Sequence, residues 1–102
     1  MPNSDQKTSG GEKRPRRAPA NVAMRRAAEQ LAELVGKTAD SVSSLQPRDG
    51  GWTADVEVVE IERVPDTSSV MATYRVTLDP RGELMGYERT RRYTRSQVDG
   101  RS

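Results

Sequence analysis

The chain contains neither cysteine nor histidine among its 102 residues. The missing cysteine excludes disulfides and thiolate chemistry. The missing histidine removes the commonest general base, the commonest metal ligand and the usual switch near neutral pH. The serines have no histidine to activate them, and they cluster in turn-like stretches at Ser41, Ser43 and Ser44 and at Ser68 and Ser69. We therefore expect no catalysis, no cofactor and no small-molecule substrate.

Long apolar runs are also missing, since apolar residues make up 32% of the chain and charged residues 31%. No run approaches the roughly 18 residues that a membrane-spanning helix needs. The N-terminus has no apolar stretch of the kind found in secretion signals. The composition indicates one small cytoplasmic domain with a thin core and no membrane partner.

Basic residues crowd the first quarter of the chain. Residues 1–19 are mostly Ser, Gly, Pro, Lys and Arg with almost nothing to bury, which predicts a disordered basic arm. Such an arm can bind nucleic acid weakly and without sequence preference, because neutralised phosphates release counterions. It can equally be a solubilising tail, and no zinc motif or helix-turn-helix pattern accompanies it. The residues that would carry the binding are Lys13, Arg14, Arg16 and Arg17.

The first ordered element is an amphipathic helix. Apolar residues recur three and four positions apart and predict a helix over residues 21–35. Gly36 stands where a left-handed residue commonly ends a helix. The predicted apolar stripe consists of Met24, Ala27, Ala28, Leu31, Leu34 and Val35.

Beyond the helix the apolar period changes to two, which predicts strands. We expect a short strand over 42–45, a hairpin turn at 49–51, and strands over about 52–61, 70–78 and 83–94. The alternation breaks at Val58 and Val59 and resumes at Ile61, which predicts a β-bulge. The predicted fold is α+β, with one N-terminal amphipathic helix packed on a four-stranded antiparallel meander. The domain covers residues 20–95 and a disordered tail covers 96–102.

Acidic residues are frequent in the second predicted strand. Asp55, Glu57, Glu60 and Glu62 have the composition of paired carboxylates or of a hard-cation site. Alternation places Asp55 and Glu57 on the solvent face, however, and no calcium-binding loop pattern is present. We interpret these residues as solvated strand charges.

The last strand interleaves arginine with tyrosine, a composition favoured at protein interfaces. Strict alternation places Tyr87, Arg89, Arg91 and Tyr93 on one face and Arg92 on the other. The same composition also suits a platform for single-stranded nucleic acid. A third interpretation pairs the arginines with acidic neighbours across the sheet. If the strand lies at the sheet edge, its backbone could also add a partner's strand.

Several segments, taken in this order, resemble the gas vesicle protein O family over about residues 22–95. They are residues 25–34 leading to Gly36, residues 51–52, the run over 56–67, residues 71–76, and the run over 86–93. The resemblance implies a cytoplasmic protein, associated with gas vesicles, that assists assembly of the gas-filled shell together with other gas vesicle proteins. It implies no enzymatic activity and no cofactor, and it leaves open a chaperone, a nucleation factor, a minor shell component or a regulator.

Two hypotheses follow from these observations. The first is a non-enzymatic accessory protein in gas vesicle formation, acting through protein–protein contacts. The alternative is a nucleic-acid-binding regulator that uses the basic N-terminal arm. Salt separates them, because a phosphate-dominated complex weakens by orders of magnitude from low to moderate salt whereas a packed protein interface does not.

Overall fold

The computed structural model describes residues 17–96. The elements follow in the order α1 (Ala20–Val35), β1 (Thr38–Arg48), β2 (Gly51–Ile61), a 3-10 turn (Asp66–Ser68), β3 (Val70–Leu78) and β4 (Leu84–Thr94). The strands form one antiparallel sheet in the order β1-β2-β3-β4. The predicted α+β fold, one helix on a four-stranded meander, is confirmed.

Helix α1 packs on one face of the sheet through a narrow stripe. Ala23, Ala27 and Leu31 are completely buried, and they meet the buried residues of β2 and β3 in a single core. Burial of Leu31 alone contributes about 2 kcal/mol. Met24 and Leu34 of the predicted stripe are exposed, because the contact with the sheet is narrower than the apolar periodicity. At the end of the helix, Gly36 is left-handed and donates its N–H to the carbonyl of Ala32.

A tight hairpin joins β1 to β2, as predicted. Asp49 and Gly50 both have positive φ, as the two central residues of a type I′ hairpin turn require. Gly51 follows and is buried against β3, where an added Cβ would lie 2.1 Å from the carbonyl oxygen of Leu78. Strand β1 is much longer than the predicted 42–45, because register shifts around residues 40 and 43 interrupt the alternation that would have revealed it.

Three more register shifts occur, one in β2 and two in β4. The register of β2 shifts between Val59 and Ile61, so the predicted bulge is confirmed with Glu60 as the extra residue. Strand β4 has two shifts, one at Met85 and one at Thr90. The first accounts for two adjacent apolar residues at the start of that strand, and the second determines where the candidate interface residues point.

The sheet therefore has two unlike faces. The helix face carries the core and is covered in part by α1, whereas the open face has no helix on it within residues 17–96. In the same part of the chain, no helix combines the length and apolar character needed to cross a bilayer.

Candidate protein-interaction surfaces on the C-terminal strand

The bulge at Thr90 divides the five candidate residues of β4 between the two faces. Residues opposite one another in an antiparallel pair share a face. Tyr87 and Arg92 lie opposite Val76 and Ala72, which are core residues of the helix face. Arg89 follows the same alternation and lies on the helix face, whereas Arg91 and Tyr93 lie on the open face.

The prediction that Tyr87, Arg89, Arg91 and Tyr93 share one face is therefore wrong. Thr90 has no opposite residue in β3, so the residues after it change sides relative to strict alternation. The strand presents two separate surfaces, one on each side of the sheet edge.

The open-face surface is organised around the carboxylate of Glu57. Its Oε1 accepts hydrogen bonds from the hydroxyls of Thr73 at 2.6 Å and Tyr93 at 2.5 Å. Its Oε2 accepts one from the hydroxyl of Ser43 at 2.6 Å. Burial by itself raises the pKa of Glu57, but these three hydrogen bonds and the charge of Arg91 outweigh it, and the net result is a lowered pKa.

Glu57 points to the open face as predicted, but its description as a solvated strand charge is wrong. The side chain is partly buried and engaged by three hydroxyls from three different strands. A carboxylate with a lowered pKa is a weak base, so this arrangement suits an acceptor that organises its neighbours. Sequence alone contained no signal for it, because the donors come together only through the strand register.

Tyr93 and Arg91 form the outer part of the same network. Burial, together with the hydrogen bond to Glu57 and its charge, raises the pKa of Tyr93 to about 12. The guanidinium of Arg91 lies 4.4 Å from the centre of the Tyr93 ring, within the range of a cation–π contact. Both side chains are thus held in one geometry at the edge of the sheet.

A groove of about 610 Å³ runs over this face, with residues from all four strands in its lining. Its charges are largely matched within the chain. Arg75 pairs with Asp55 at 3.2 Å, and Arg95 pairs with Asp40 at 3.6 Å. The open face is therefore a polar surface of mixed charge, and most of its charges are paired within the chain.

On the helix face, two arginines share one carboxylate. The side chain of Glu60 is only 9% exposed and lies 3.3 Å from Nη1 of Arg89 and 2.8 Å from Nε of Arg92. The hydroxyl of Tyr74 also donates to it at 3.2 Å. Burial raises the pKa of Glu60, but the hydrogen bonds from Arg89 and Tyr74 and the charges of both arginines lower it overall. The cluster carries one excess positive charge.

Two tyrosines adjoin this cluster. The rings of Tyr74 and Tyr87 lie 6.1 Å apart at 52°, a tilted aromatic pair. Burial is the largest cause that raises the pKa of Tyr74. The negative charge of Glu60 and the hydrogen bond to Glu60 raise it further. Tyr87 remains 45% exposed. Pairing of the arginines with an acidic neighbour across the sheet, one of the three interpretations above, is thus observed, and it leaves both arginines about half exposed.

The root of the basic arm is held by the domain. Arg17 donates from Nε to the carbonyl of Gly51 at 3.0 Å, and its guanidinium lies 5.4 Å from the Trp52 ring centre. The indole N–H of Trp52 donates to the carbonyl of Ala18 at 2.9 Å. Lys13, Arg14 and Arg16 lie outside the described residues, as does the predicted tail from residue 97. Nucleic-acid binding by the arm therefore stays a prediction, as do the domain boundaries.

Potential metal ligands do not cluster within residues 17–96. This part of the chain contains no group of three or more acidic, histidine or cysteine side chains placed to hold an ion. Glu57 and Glu60 are each occupied by hydroxyl or guanidinium donors. What the two surfaces offer chemically is pre-positioned hydrogen-bond donors, aromatic rings and, on the helix face, net positive charge.

Known proteins resemble this chain over most of its length. The family described as "Gas vesicle synthesis protein GvpO" matches residues 6–99. Gas vesicle protein O of a Streptomyces species is 55% identical over 76 residues, which is 74% of this chain and 59% of that protein. Gas vesicle protein O1 of Halobacterium salinarum is 37% identical over 74% of this chain and 64% of its own length. Gas vesicle protein O of Haloferax mediterranei is 36% identical over 72% and 53%.

The matched region thus spans between about half and two thirds of each of these relatives. No solved structure matches the chain. The family match covers the helix, all four strands and both surfaces described above. The chain belongs to the gas vesicle protein O family of gas vesicle synthesis proteins.

Proposed function

We propose that this chain is a non-enzymatic accessory protein of gas vesicle formation that contacts other gas vesicle proteins through β4. Membership of the gas vesicle protein O family supports a role in gas vesicle formation. The observation that carries the mode of action is the state of the arginines in β4. Arg89 and Arg92 are fixed by Glu60, yet their side chains remain 48% and 51% exposed.

Such pre-positioned side chains favour binding. Immobilising a flexible side chain in an interface costs about 0.5–1.5 kcal/mol, and a side chain already held in place has less of this entropy to lose. Arginine and tyrosine are also the residues most often found to dominate binding energy at protein interfaces. The residues that we propose make contact are Tyr87, Arg89, Arg91, Arg92 and Tyr93.

The contacts are made by side chains rather than by addition of a partner's strand. Strand β4 lies at the sheet edge, as strand addition requires, but the bulges at Met85 and Thr90 interrupt its free backbone. Bulges and charged side chains are the devices with which proteins protect an edge from pairing. The proposed role is cytoplasmic, at the site where the vesicle is assembled.

Complementation tests this function. In a gas-vesicle-forming host whose own gene is deleted, wild-type chain is compared with a variant carrying Arg89→Ala, Arg91→Ala and Arg92→Ala. The control carries Arg25→Ala, Arg63→Ala and Arg81→Ala, which remove the same charge from exposed positions elsewhere. Gas vesicles are counted by electron microscopy, and the chain is quantified by immunoblot.

We expect wild type and control to restore gas vesicles and the β4 variant to fail at an equal chain level. Circular dichroism of the purified variant establishes that it still folds. If it does not fold, Arg91→Ala with Tyr87→Ser replaces it, since neither residue pairs with Glu60. Normal gas vesicle numbers with a folded β4 variant would refute the proposed contact strand.

A further inference from the structure

Polar contacts join helix α1 to the start of β4. Arg26 and Gln30 reach the start of β4, where Arg26 pairs with Glu83 and Gln30 accepts the N–H of Leu84. Leu34 follows Gln30 by four residues and therefore lies on the same flank of the helix. It is nevertheless 57% exposed. The side chain of Leu34 is therefore largely uncovered on the flank of α1 that faces β4.

Exposed aromatic and basic side chains of β4 lie on the same face of the sheet as this flank of α1. Tyr87, on the helix face and 45% exposed, forms the aromatic pair with Tyr74. Further along β4 are the half-exposed arginines bound to Glu60. We call this surface the β4 notch and define it by Leu34, Tyr74, Tyr87, Arg89 and Arg92.

The dimensions of the sheet leave room for another helix. Four strands spaced about 4.8 Å apart make a sheet about 19 Å wide. A helix is about 10 Å across, and packed helices lie about 8–10 Å apart. One helix therefore covers roughly half of the helix face, and a second could lie beside it over β3 and β4.

The net positive charge of the notch favours an acidic partner. One carboxylate, Glu60, serves two guanidinium groups that each carry five N–H donors. Donors and one positive charge remain for a partner to satisfy. An acidic partner gains charge-assisted hydrogen bonds there, whereas a basic one is repelled.

We propose that the β4 notch is the docking site for an amphipathic helix of another gas vesicle protein. The helix lies beside α1, with its apolar stripe on Leu34 and Tyr87 and its acidic residues against Arg89 and Arg92. The proposal rests on the proposed function and names the partner's chemistry. A second copy of this chain is a poor occupant, because Ala23, Ala27 and Leu31 of its own α1 are already buried.

Site-specific photocross-linking tests the notch against the open face. A benzophenone-bearing residue is placed at position 87 of the full chain and, as a matched control, at position 88. These neighbours project to opposite faces of β4. The chain is expressed with the gas vesicle proteins of its host, irradiated, and the cross-linked peptides are mapped by mass spectrometry.

We expect position 87 to cross-link to a segment with apolar residues three and four apart and with acidic residues along one side. Position 88, on the open face, should not cross-link to that segment. In a capture assay with the protein so identified, Arg92→Glu should weaken binding about tenfold. Arg81→Glu, at an exposed position outside the proposed contact residues, should leave binding unchanged. Lysine in place of the facing acidic residue of the partner should restore binding to Arg92→Glu.

Arg92→Glu places a second carboxylate beside Glu60, so Arg92→Gln is measured in parallel in case the first variant does not fold. Cross-links from position 88 alone would leave the proposed function standing and overturn the notch. Cross-links from neither position would overturn both. Cross-links from position 87 to a basic segment, an extended segment, nucleic acid or a second copy of this chain would overturn the acidic helix.

Discussion

Glu57 is the residue whose replacement should most disturb the open face. Glu57→Ala removes the common acceptor of three hydroxyls, on Ser43, Thr73 and Tyr93. A hydrogen bond contributes about 1 kcal/mol after exchange with water, so the loss is about 3 kcal/mol. Thr73 is only 8% exposed, so water cannot readily replace the lost acceptor. A domain of this size has a total stability of about 4–12 kcal/mol.

The expected result is a fall in melting temperature of about 15 °C, since 1 kcal/mol corresponds to about 4–8 °C in small domains. Urea unfolding followed by circular dichroism near neutral pH measures it. Glu57→Gln retains one acceptor oxygen and should lose about half as much. Unfolding of Glu57→Ala at the wild-type urea concentration would refute the assignment of Glu57 as the organiser of this face.

The pH dependence of the same variants provides a second readout. The pKa of Glu57 in the folded chain lies below its ordinary value of 4.5. Its stabilising contribution is therefore fully present above about pH 4.5 and is lost as the pH falls through the lowered pKa. The stability difference between wild type and Glu57→Gln should shrink over that interval. A constant difference would contradict the role of the charge. Glu60 has the same sign and remains in both proteins.

Three further predictions concern other parts of the fold. Gly51→Ala should prevent stable folding, because its Cβ would meet a backbone carbonyl of β3 at 2.1 Å, whereas Gly86→Ala, with nothing within 4 Å, should melt at or slightly above wild type. Tyr93→Phe should remove an alkaline loss of stability: with its pKa raised from 10 to about 12, the Tyr93 contribution is present below about pH 10 and lost as the pH rises through 12. Arg17→Ala should lower stability by about 1 kcal/mol and shift Trp52 fluorescence, because its hydrogen bond and cation–π contact are lost.

Each of these has a simple contradicting outcome. Equal melting of the two glycine variants would show that the close approach at residue 51 is not as described. An unchanged alkaline transition in Tyr93→Phe would contradict the burial of its hydroxyl against Glu57. Unaltered tryptophan fluorescence in Arg17→Ala would show that the root of the arm does not dock on Trp52.

The periodicity of the sequence predicted those elements whose pattern is undisturbed. Apolar spacing located α1 and β3, and the break before Ile61 located the bulge at Glu60. The length of strand β1 was underestimated and the faces of β4 were misassigned for the same reason. A bulge shifts the alternation by one residue, and at Thr90 the flanking residues are polar on both sides, so no apolar signal marks the shift.

The composition of the candidate surface was visible in the sequence, but its construction was not. Arg89, Arg92 and Tyr87 were identified from the interleaving of arginine and tyrosine. Glu60, which anchors the two arginines, lies 29 residues before Arg89, and the sequence favours its interpretation as a solvated charge. Contacts across such a separation depend on strand register, which is a property of the folded sheet.

The most direct test of the central claim is a pull-down of the tagged chain from gas-vesicle-forming cells, performed with and without nuclease. We expect other gas vesicle proteins to remain bound after nuclease treatment, because side chains of β4 make the contacts. Loss of every partner on nuclease treatment would contradict it and would favour a nucleic-acid-binding regulator acting through the basic arm.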